Sequence, residues 1–487
     1  MRLLRILVFY LLVVIFLVSC PLVILYALGY VLKPGTEQGV VKTGLIYLSS
    51  APPGASVYLG NRRYTKKTPT ILRDLLPGDY SLRLILRHHK PWVQTVPVEA
   101  ERATVLEHIL LLPQAWPREE VLPQPFEDLC PLPGSRFFLL SRGPKAEDIL
   151  IYDWKDAQSW PLFAWDSPYQ GGKVVSHVQV QDSPAMLLRV DLKAHEHFVW
   201  IEPRGGQTRI EDLTNLFMEK PLRILWDAHE RRYLFTFQHG YLNRLDTLSK
   251  EISPQFVEGV LGYGVFDRWL YVLKDDNTFA RMTFDGKNVE QLLSDPVFER
   301  SLFGGKGFFD IHVLSKDVMF FLGERGELFV NRLPYRLVEK GVVGLDPYPQ
   351  RARVLLWQKD RLGILDFSNG LSAEELLETP PQLQWVFQQG VDIEQVFWVY
   401  GGSHVLFRDE DRVLLLELET SGKPHLCEVI QVKRKSSVFY SDDSGKLYYL
   451  DRSTGTPSSI EILPKRELLP IPFPERREKS TPQRVGE

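Results

Sequence analysis

The amino-acid sequence predicts a mostly β protein with three parts in chain order. These are a single N-terminal transmembrane helix, a small β-sandwich and a seven- or eight-bladed β-propeller. Residues 6–32 carry no charged side chain, and residues 43–113 read as short strands with alternating apolar and polar positions. From residue 136 onward, two apolar runs separated by a polar turn recur about every 43 residues, which is the length of a four-stranded propeller blade.

The overall composition is that of a folded chain and excludes several classes of site. It is 44% hydrophobic and 24% charged, as in globular proteins. The formal net charge of −3 predicts no nucleic-acid partner. The three cysteines, Cys20, Cys130 and Cys427, include no CxxC pair, which excludes a zinc ribbon or a thioredoxin-type site. We expect free thiols, although ring closure could bring Cys130 and Cys427 together as a disulfide.

The apolar run at residues 6–32 is long enough to cross a bilayer, since about 20 helical residues span the hydrocarbon core. It is too long for the core of a signal peptide. Residues 17–20, Leu-Val-Ser-Cys, resemble a bacterial lipobox, which leaves lipidation of Cys20 as an alternative. The apolar residues that continue after Cys20 favour an uncleaved anchor. Arg2 and Arg5 flank the run on one side, and Lys33 and Lys42, offset by Glu37, on the other. Because the end at residues 1–5 is very short, we expect it to be cytoplasmic and the bulk of the chain to be extracytoplasmic.

Prolines and glycines separate the strands of residues 43–113. Pro52-Pro53-Gly54 breaks the chain between two strands, Gly60-Asn61 forms a turn, and Pro77-Gly78 forms a second tight turn. Apolar positions such as Val57 and Leu59 share one face. These signals predict a sandwich of about 70 residues, which is close to the lower size limit for a single core.

This stretch resembles the PEGA domain family. The motif of the family is matched by Pro52-Pro53-Gly54-Ala55, with proline where the glutamate usually stands, and its later blocks by residues 57–59, 68–69 and 76–80. Trp92 fits an aromatic position of anchored bacterial members. The resemblance implies an extracytoplasmic module of a bacterial envelope or surface protein.

Charge is distributed unevenly along the chain. Residues 43–113 contain nine Lys and Arg against five Asp and Glu, a net charge of +4, whereas residues 114–487 have a net charge of −10. A basic module next to a membrane can contact anionic lipid or an anionic cell-wall polymer, although a solvated basic face explains the same pattern. The predicted binding residues on this basic face are Arg62, Arg63, Lys66, Lys67, Arg87 and Lys90.

The propeller is predicted for residues 114–466 and a disordered, proline- and charge-rich tail for residues 467–487. Eight hairpin-like segments support it, at 136–154, 185–202, 232–246, 268–286, 317–333, 353–370, 404–422 and 437–455. Residues 371–379 are the one fair helical candidate in this region. We expect the chain between 114 and 136 to pair with the last strands, because closure removes unpaired edges. Loops at one end of the ring are expected to form a central funnel, the default ligand site.

No motif assigns a catalytic residue, a cofactor or a metal. His195 and His197 lie two residues apart on one predicted strand face, but no third ligand is visible nearby. Residues 441–448 resemble the Asp-box turn of sialidase-type propellers, which is structural, with Asp443 expected to accept backbone amides and Gly445 to take a positive φ. No GxSxG, HExxH or P-loop pattern occurs.

The sequence therefore predicts a non-enzymatic, membrane-anchored binding or scaffolding protein of the bacterial cell envelope, with envelope proteins as possible partners. The alternative function is an extracytoplasmic glycan-acting hydrolase with carboxylates in the propeller mouth.

Overall fold

The computed structural model describes residues 2–27, 30–32, 40–132, 135–179, 185–217, 220–227, 232–276, 278–294, 307–315, 318–331, 336–367, 383–418 and 425–464. The predicted helix at 371–379 and the predicted disordered tail at 467–487 lie outside the described residues.

An α-helix at the N-terminus runs over Arg2–Ala27 and includes Pro21. Two short strands, Tyr30–Leu32 and Val40–Lys42, pair antiparallel after it. Within the described part of the chain, no helix reaches the length and hydropathy required to cross a membrane. The transmembrane segment at residues 6–32 stays a sequence-based prediction.

Two sheets form the predicted sandwich. The first has three strands in the order Thr70–Leu75, Gly44–Ala51 and Ala103–Leu110, and the second has four in the order Arg62–Lys67, Ser56–Leu59, Gly78–Ile85 and Trp92–Val98. Their inner faces enclose one apolar core, to which both sheets contribute. The alternating apolar positions that predicted the strands are therefore the positions that face this core.

The Pro-Pro-Gly-Ala stretch turns the chain from one sheet to the other. Gly54 adopts φ +89°, a conformation that a residue with a Cβ adopts at a cost. Thr68, which is buried, stabilises the turn because its Oγ1 accepts a hydrogen bond from Ala55 N at 3.0 Å and lies 2.7 Å from Ser50 Oγ. The prolines and the glycine therefore serve one local purpose, the crossing between the sheets.

The rest of the described chain folds into eight successive groups of four antiparallel strands, which we call blades 1 to 8. Blades 1 and 2 consist of Asp128–Pro131, Phe137–Ser141, Ile149–Asp153 and Gln158–Pro161, then Lys173–Gln179, Met186–Leu192, His195–Arg204 and Gln207–Asp212. Blades 3 and 4 consist of Arg223–Trp226, Tyr233–Gln238, Tyr241–Asp246 and Glu251–Glu258, then Val260–Phe266, Trp269–Lys274, Thr278–Thr283 and Val289–Ser294.

Blades 5 and 6 consist of Phe309–Ser315, Val318–Gly323, Leu328–Val330 and Arg336–Glu339, then Gly344–Tyr348, Arg353–Trp357, Leu362–Asp366 and Leu383–Phe387. Blade 7 consists of Ile393–Val399, His404–Asp409, Arg412–Glu417 and Leu426–Gln431, and blade 8 of Phe439–Ser441, Lys446–Leu450, Pro457–Glu461 and Arg118–Glu120. Three 3-10 turns lie between strands, at Ala146–Asp148, Thr214–Leu216 and Pro349–Arg351.

The ring closes as the sequence predicted. Arg118–Glu120, the first strand after the sandwich, pairs antiparallel with Pro457–Glu461, and Glu119 lies opposite Ser459. This pairing places the N-terminal strand at the outer edge of the last blade. First strands of neighbouring blades contact one another and line the inside of the ring, and those of blades 4 and 5 pair at Gly262 and Phe309. The architecture is that of an eight-bladed β-propeller.

Buried second strands supply most of the propeller core. All six residues of Tyr233–Gln238 and of His404–Asp409 are buried, because each second strand lies in the middle of its blade and both of its faces pack against neighbouring blades. The apolar clusters accordingly join adjacent blades, such as blades 6 and 7. Packing of blade on blade therefore holds the ring together.

The sandwich lies on one face of this ring. In blade 7 the first strand ends at Val399, the second begins at His404, the third ends at Glu417 and the fourth begins at Leu426. Antiparallel strands place all four points at one edge of the blade, and the sandwich contacts this edge. We call it the sandwich face, and the other side of the ring the opposite face.

Candidate functional site

The predicted basic residues fall into two groups. Arg62, Arg63, Lys66 and Lys67 all lie exposed on the edge strand Arg62–Lys67. Arg87 and Lys90 lie instead in the turn between Ile85 and Trp92, at the end of the sandwich that meets the propeller. The main chain of this turn contacts the linker at residues 111–117, which leads to the propeller, since Lys90 N donates a hydrogen bond to Leu112 O at 2.7 Å. The structure therefore joins four of the six predicted residues and separates the other two.

A further basic residue that the sequence did not single out joins the edge-strand group. Tyr58 lies directly between Arg63 and Arg83 in the register of three neighbouring strands. Both guanidinium groups approach its ring, at 6.0 Å for Arg63 and 5.0 Å for Arg83. We call Arg63, Tyr58 and Arg83 the basic triplet. Among the described residues, none of the triplet's cations forms an ion pair, so their charges face solvent.

Apolar contacts fix the sandwich to the propeller. Leu110, at the end of the last sandwich strand, is buried in one cluster with Leu406 and Leu415 of blade 7. Ala51 and Trp116 pack against the same cluster. The sandwich therefore shares a hydrophobic core with blades 7 and 8 rather than hanging from a free linker.

A buried polar contact accompanies this core. Trp92 Nε1 donates to both carboxylate oxygens of Glu417, at 3.1 Å each. His425 Nδ1 lies 3.0 Å from Glu417 Oε2, and its ring meets the Trp92 ring edge to face at 6.4 Å. Burial without partners would make this carboxylate unfavourable, so a sandwich residue helps to stabilise a propeller charge.

The position of Glu417 has equivalents in other blades, but their partners differ. In blades 1, 3 and 6 an arginine binds an aspartate at the end of the third strand; the arginine is the first residue of the second strand in blade 6 and the residue before it in blades 1 and 3. The pairs are Arg136 and Asp153 at 3.0 Å, Arg232 and Asp246 at 2.8 Å, and Arg353 and Asp366 at 2.9 Å. In blade 7 the corresponding cross-strand pair is His404 and Glu417. The sandwich docks where this arginine is replaced by histidine.

His404 is almost fully buried, at 2% exposure. Burial lowers its pKa to about 3, and His108 and His425 add to the effect. Nδ1 of His404 lies 2.8 Å from Ser403 Oγ, and Ser403 Oγ donates to Tyr400 O at 2.8 Å. The His404 ring is therefore neutral at physiological pH and supplies no positive charge to Glu417, its cross-strand neighbour.

A cavity of about 450 Å³ lies between the sandwich and blade 7. Its sandwich side includes Lys90, Pro91 and Trp92, and its linker and propeller sides include Leu112, His404, Leu415, Glu417, His425 and Cys427. Lys90 Nζ lies 3.5 Å from Cys427 Sγ across it. A cleft of this size, in which polar groups converge beside apolar surface, is a candidate ligand site. Sequence reasoning expected the site in the central funnel; this cavity lies elsewhere.

The other sequence candidates do not form sites in the described residues. His197 Nδ1 lies 3.6 Å from Asp212 and its ring contacts Tyr169, and no group of three ligands suited to a metal occurs among the residues described. Cys130 and Cys427 are both free thiols. Cys130 Sγ lies 3.2 Å from His177 Nε2, and burial, with Asp128 nearby, raises the Cys130 pKa to about 12.

The turn at residues 441–445 is structural, as expected, but differs in detail. Gly445 takes φ +66° as predicted. Ser441 and Ser444 accept the amide hydrogen bonds expected for Asp443, from Ser444 N and Lys446 N, each at 3.3 Å. An aspartate does accept such an amide hydrogen bond in a turn of blade 3, where Leu248 N donates to Asp246 Oδ1.

One signal for the junction was present in the sequence. The segments 353–366 and 404–417 have the same length, with Arg353 and His404 at their starts and Asp366 and Glu417 at their ends. This replacement marks blade 7 as different, but nothing in the sequence connects it with Trp92.

Comparisons with known proteins agree with the two-part organisation. Residues 43–110 match the model of the PEGA domain family. No curated protein sequence matches the chain. Among solved structures, BamB from Moraxella catarrhalis has 10% identity and a TM-score of 0.41, covering 72% of this chain and 99% of its own. The Dos1 propeller has 11% identity and a TM-score of 0.43, covering 71% and 94%.

The bacterial surface protein PorZ of Porphyromonas gingivalis has 12% identity and a TM-score of 0.37, covering 68% of this chain and 42% of its own. Because these TM-scores lie below 0.5, the propeller assignment rests on the strand pairing and the closure at Arg118–Glu120. Residues 43–110 of the chain therefore match the PEGA domain, and a β-propeller follows them.

Proposed function

We propose that this protein is a membrane-anchored, extracytoplasmic binding or scaffolding protein of the bacterial cell envelope, and that it is not an enzyme. The observation that carries the proposal is the docking of the PEGA domain on one face of the ring, through Leu110 and through Trp92 and Glu417. A rigidly docked domain presents two surfaces in a fixed relation, the basic triplet and the opposite face of the ring.

The anchor in this proposal is the apolar run at residues 6–32. It has no charge over its whole length, and a helix covers Arg2–Ala27. Two residues of the sandwich, Gly44 and Ala51, mark its two ends: the chain enters at Gly44, and Ala51 packs against the propeller. An anchored chain therefore places the sandwich between the bilayer and the ring.

Charge supports an anionic ligand for the sandwich. The edge strand and the basic triplet place five cations on one sheet, Arg62, Arg63, Lys66, Lys67 and Arg83. Of these, Arg63, Lys67 and Arg83 lie on the same face as Tyr58, because alternate residues of a strand share a face. The negative charges of phosphate or carboxylate groups that repeat along a polymer or a lipid surface complement these positive charges. Anionic lipid and anionic wall polymer share this chemistry, and the experiment below separates them.

Exposed apolar side chains on the opposite face support a protein partner. Trp165 is 86% exposed in the connection between blades 1 and 2, and Leu222 and Val391 are 70% and 58% exposed in the connections that lead into blades 3 and 7. Exposed aromatic and aliphatic groups on a rigid frame suit protein recognition. The proposed scaffold holds this face away from the bilayer.

Protease added to intact cells tests the location. We expect digestion of the chain beyond residue 33 without rupture of the membrane, with a cytoplasmic protein as an undigested control. Protection of the propeller until the membrane is broken would contradict the proposed topology.

Binding of the purified full-length protein to anionic surfaces tests the function. The protein is incubated with phosphatidylglycerol vesicles, with phosphatidylcholine vesicles and with an anionic wall polymer. Replacement of Arg63 and Arg83 by Gln should weaken binding and flatten its salt dependence. The matched control replaces Arg325 and Lys359, two propeller cations, by Gln. Equal binding by both variants would refute the role of the basic triplet.

A further inference from the structure

The cavity at the domain junction has a polar wall whose hydrogen-bonding capacity is only partly used. Ser403 Oγ lies 2.8 Å from both Tyr400 O and His404 Nδ1. A carbonyl only accepts, so the single hydroxyl proton of Ser403 goes to Tyr400 O. His404 Nδ1 must then carry a proton and donate it to Ser403 Oγ.

This assignment fixes the other nitrogen of the ring. Because the buried imidazole is neutral, its Nε2 carries a lone pair and can only accept. The ring lines the cavity, and no donor among the described residues bonds Nε2. A nitrogen acceptor on a side chain that is 2% exposed therefore faces a space large enough for a ligand.

The rest of the wall adds a second acceptor and one donor. Glu417 lies directly opposite His404 on the neighbouring strand and lines the same cavity with a carboxylate, a group that only accepts hydrogen bonds. Lys90 stands exposed at the rim as a donor. Leu112, Leu415 and Pro91 supply apolar surface beside these groups.

We propose that this cavity binds a sugar unit. A sugar ring carries hydroxyl groups that both donate and accept, so it can give protons to His404 and Glu417 while it accepts one from Lys90. Its C–H faces match the leucine and proline surface. A cation would be repelled by the Lys90 ammonium group and would leave that donor without an acceptor. An anion would be repelled by the carboxylate of Glu417. The volume of about 450 Å³ lies within the range of small-molecule sites.

The inference rests on the proposed binding function but not on the basic triplet. The two fail separately, because Lys90 lies at the propeller end of the sandwich and is outside both strands that carry the triplet's arginines. A chain that binds vesicles and no sugar, or sugar and no vesicle, would distinguish them.

Saturation-transfer NMR on the full-length protein in detergent tests the proposal. The probes are glucose and N-acetylglucosamine, with ethanolamine as a cation, and inorganic phosphate as an anion whose binding is read from its competition with the sugar signal. We expect saturable binding of at least one sugar, and about tenfold weaker binding after Lys90→Met, the loss for one charge-assisted hydrogen bond. Lys359→Met, an exposed lysine on blade 6, should bind as the wild type does.

A second variant keeps the proposal falsifiable if Lys90 proves dispensable. Glu417→Gln retains an oxygen acceptor for Trp92 but removes the charge, so sugar binding should weaken while the melting temperature shows whether the sandwich stays docked. No saturable binding of either sugar, equal affinity in both variants and the wild type, or stronger binding of ethanolamine or phosphate than of sugar would overturn the proposal.

Discussion

Trp92 of the PEGA domain and Glu417 of the propeller form a buried contact, in which the indole N–H lies 3.1 Å from each carboxylate oxygen. They are separated by 325 positions in sequence. Trp92 belongs to the core of the sandwich, and Glu417 is the last residue of the third strand of blade 7. Removal of the indole N–H takes away its hydrogen bonds to both oxygens of this buried carboxylate. The contact therefore couples the stability of the sandwich to that of blade 7.

Trp92→Phe should loosen the junction. The variant keeps an aromatic ring in the sandwich core and removes the only N–H of the side chain, so we expect a loss of about 1.5–3 kcal/mol, typical of a hydrogen bond to a charged group. Faster proteolytic cleavage in the linker at residues 111–117 and a lower melting temperature measure the effect. Trp165→Phe, at a side chain that is 86% exposed, is the control. Equal cleavage rates would show that the contact is not stabilising.

Stability should fall as the pH is lowered from 7 to 5, with His404 as one cause. Burial lowers the pKa of His404 to about 3 in the folded chain, against about 6.5 in an unfolded chain. In this window the unfolded chain binds a proton that the folded chain does not, so acid favours unfolding.

The expected contribution at pH 5 is about 2 kcal/mol. His404→Phe should flatten the dependence of the melting temperature on pH, whereas His195→Gln, at an exposed histidine, should leave it unchanged. Parallel pH profiles for His404→Phe and the wild type would be inconsistent with a neutral buried ring.

Two glycines separate backbone strain from steric overlap. Gly445 has φ +66°, and a Cβ there would lie 2.2 Å from Leu463 O; Gly205 has φ +44° with nothing within 4 Å. Gly205→Ala should therefore cost about 1 kcal/mol from strain alone, and Gly445→Ala about 2–4 kcal/mol from strain and overpacking together. Thermal unfolding of both variants measures the difference. A smaller loss at Gly445 would refute the close approach of Leu463.

Closure of the ring can be tested by a cross-strand disulfide. Glu120 lies opposite Ser458 in the closing pair, at a spacing that suits a disulfide. Glu120→Cys with Ser458→Cys should oxidise readily and raise the melting temperature, because closing this loop stabilises the folded chain by about 5 kcal/mol at most. Peptide mapping identifies the bond, and Glu120→Cys alone is the control. Free thiols in the oxidised double variant would indicate an open ring.

Local patterns made the strands readable from sequence. The predicted segment 353–370 contains the strands Arg353–Trp357 and Leu362–Asp366, because a buried second strand and its hairpin partner give two apolar runs around a polar turn. The proline and glycine positions at residues 52–54 likewise predicted a break between two strands, which is where the chain crosses from one sandwich sheet to the other. In blade 8 the predicted segment 437–455 contains the first and second strands, because the outer strand comes from Arg118–Glu120.

The candidate site could not be predicted from local patterns. Its residues lie far apart in sequence, and Trp92 reads as a core aromatic until the sandwich is placed on blade 7. Lys90 and Arg87 were grouped with the edge-strand cations because charge along a chain does not show which end of a strand meets another domain. His404 in place of an arginine was visible, but its meaning depends on Ser403 and on the cavity.

The closing strand has a consequence for the order in which the chain is made. Arg118–Glu120 leaves the ribosome early, and its partner Pro457–Glu461 leaves more than 300 residues later. Throughout that interval Arg118–Glu120 has no partner strand, and unpaired strand edges invite association with other chains. Until the last blade arrives, the nascent protein therefore depends on chaperones or on rapid completion for its solubility.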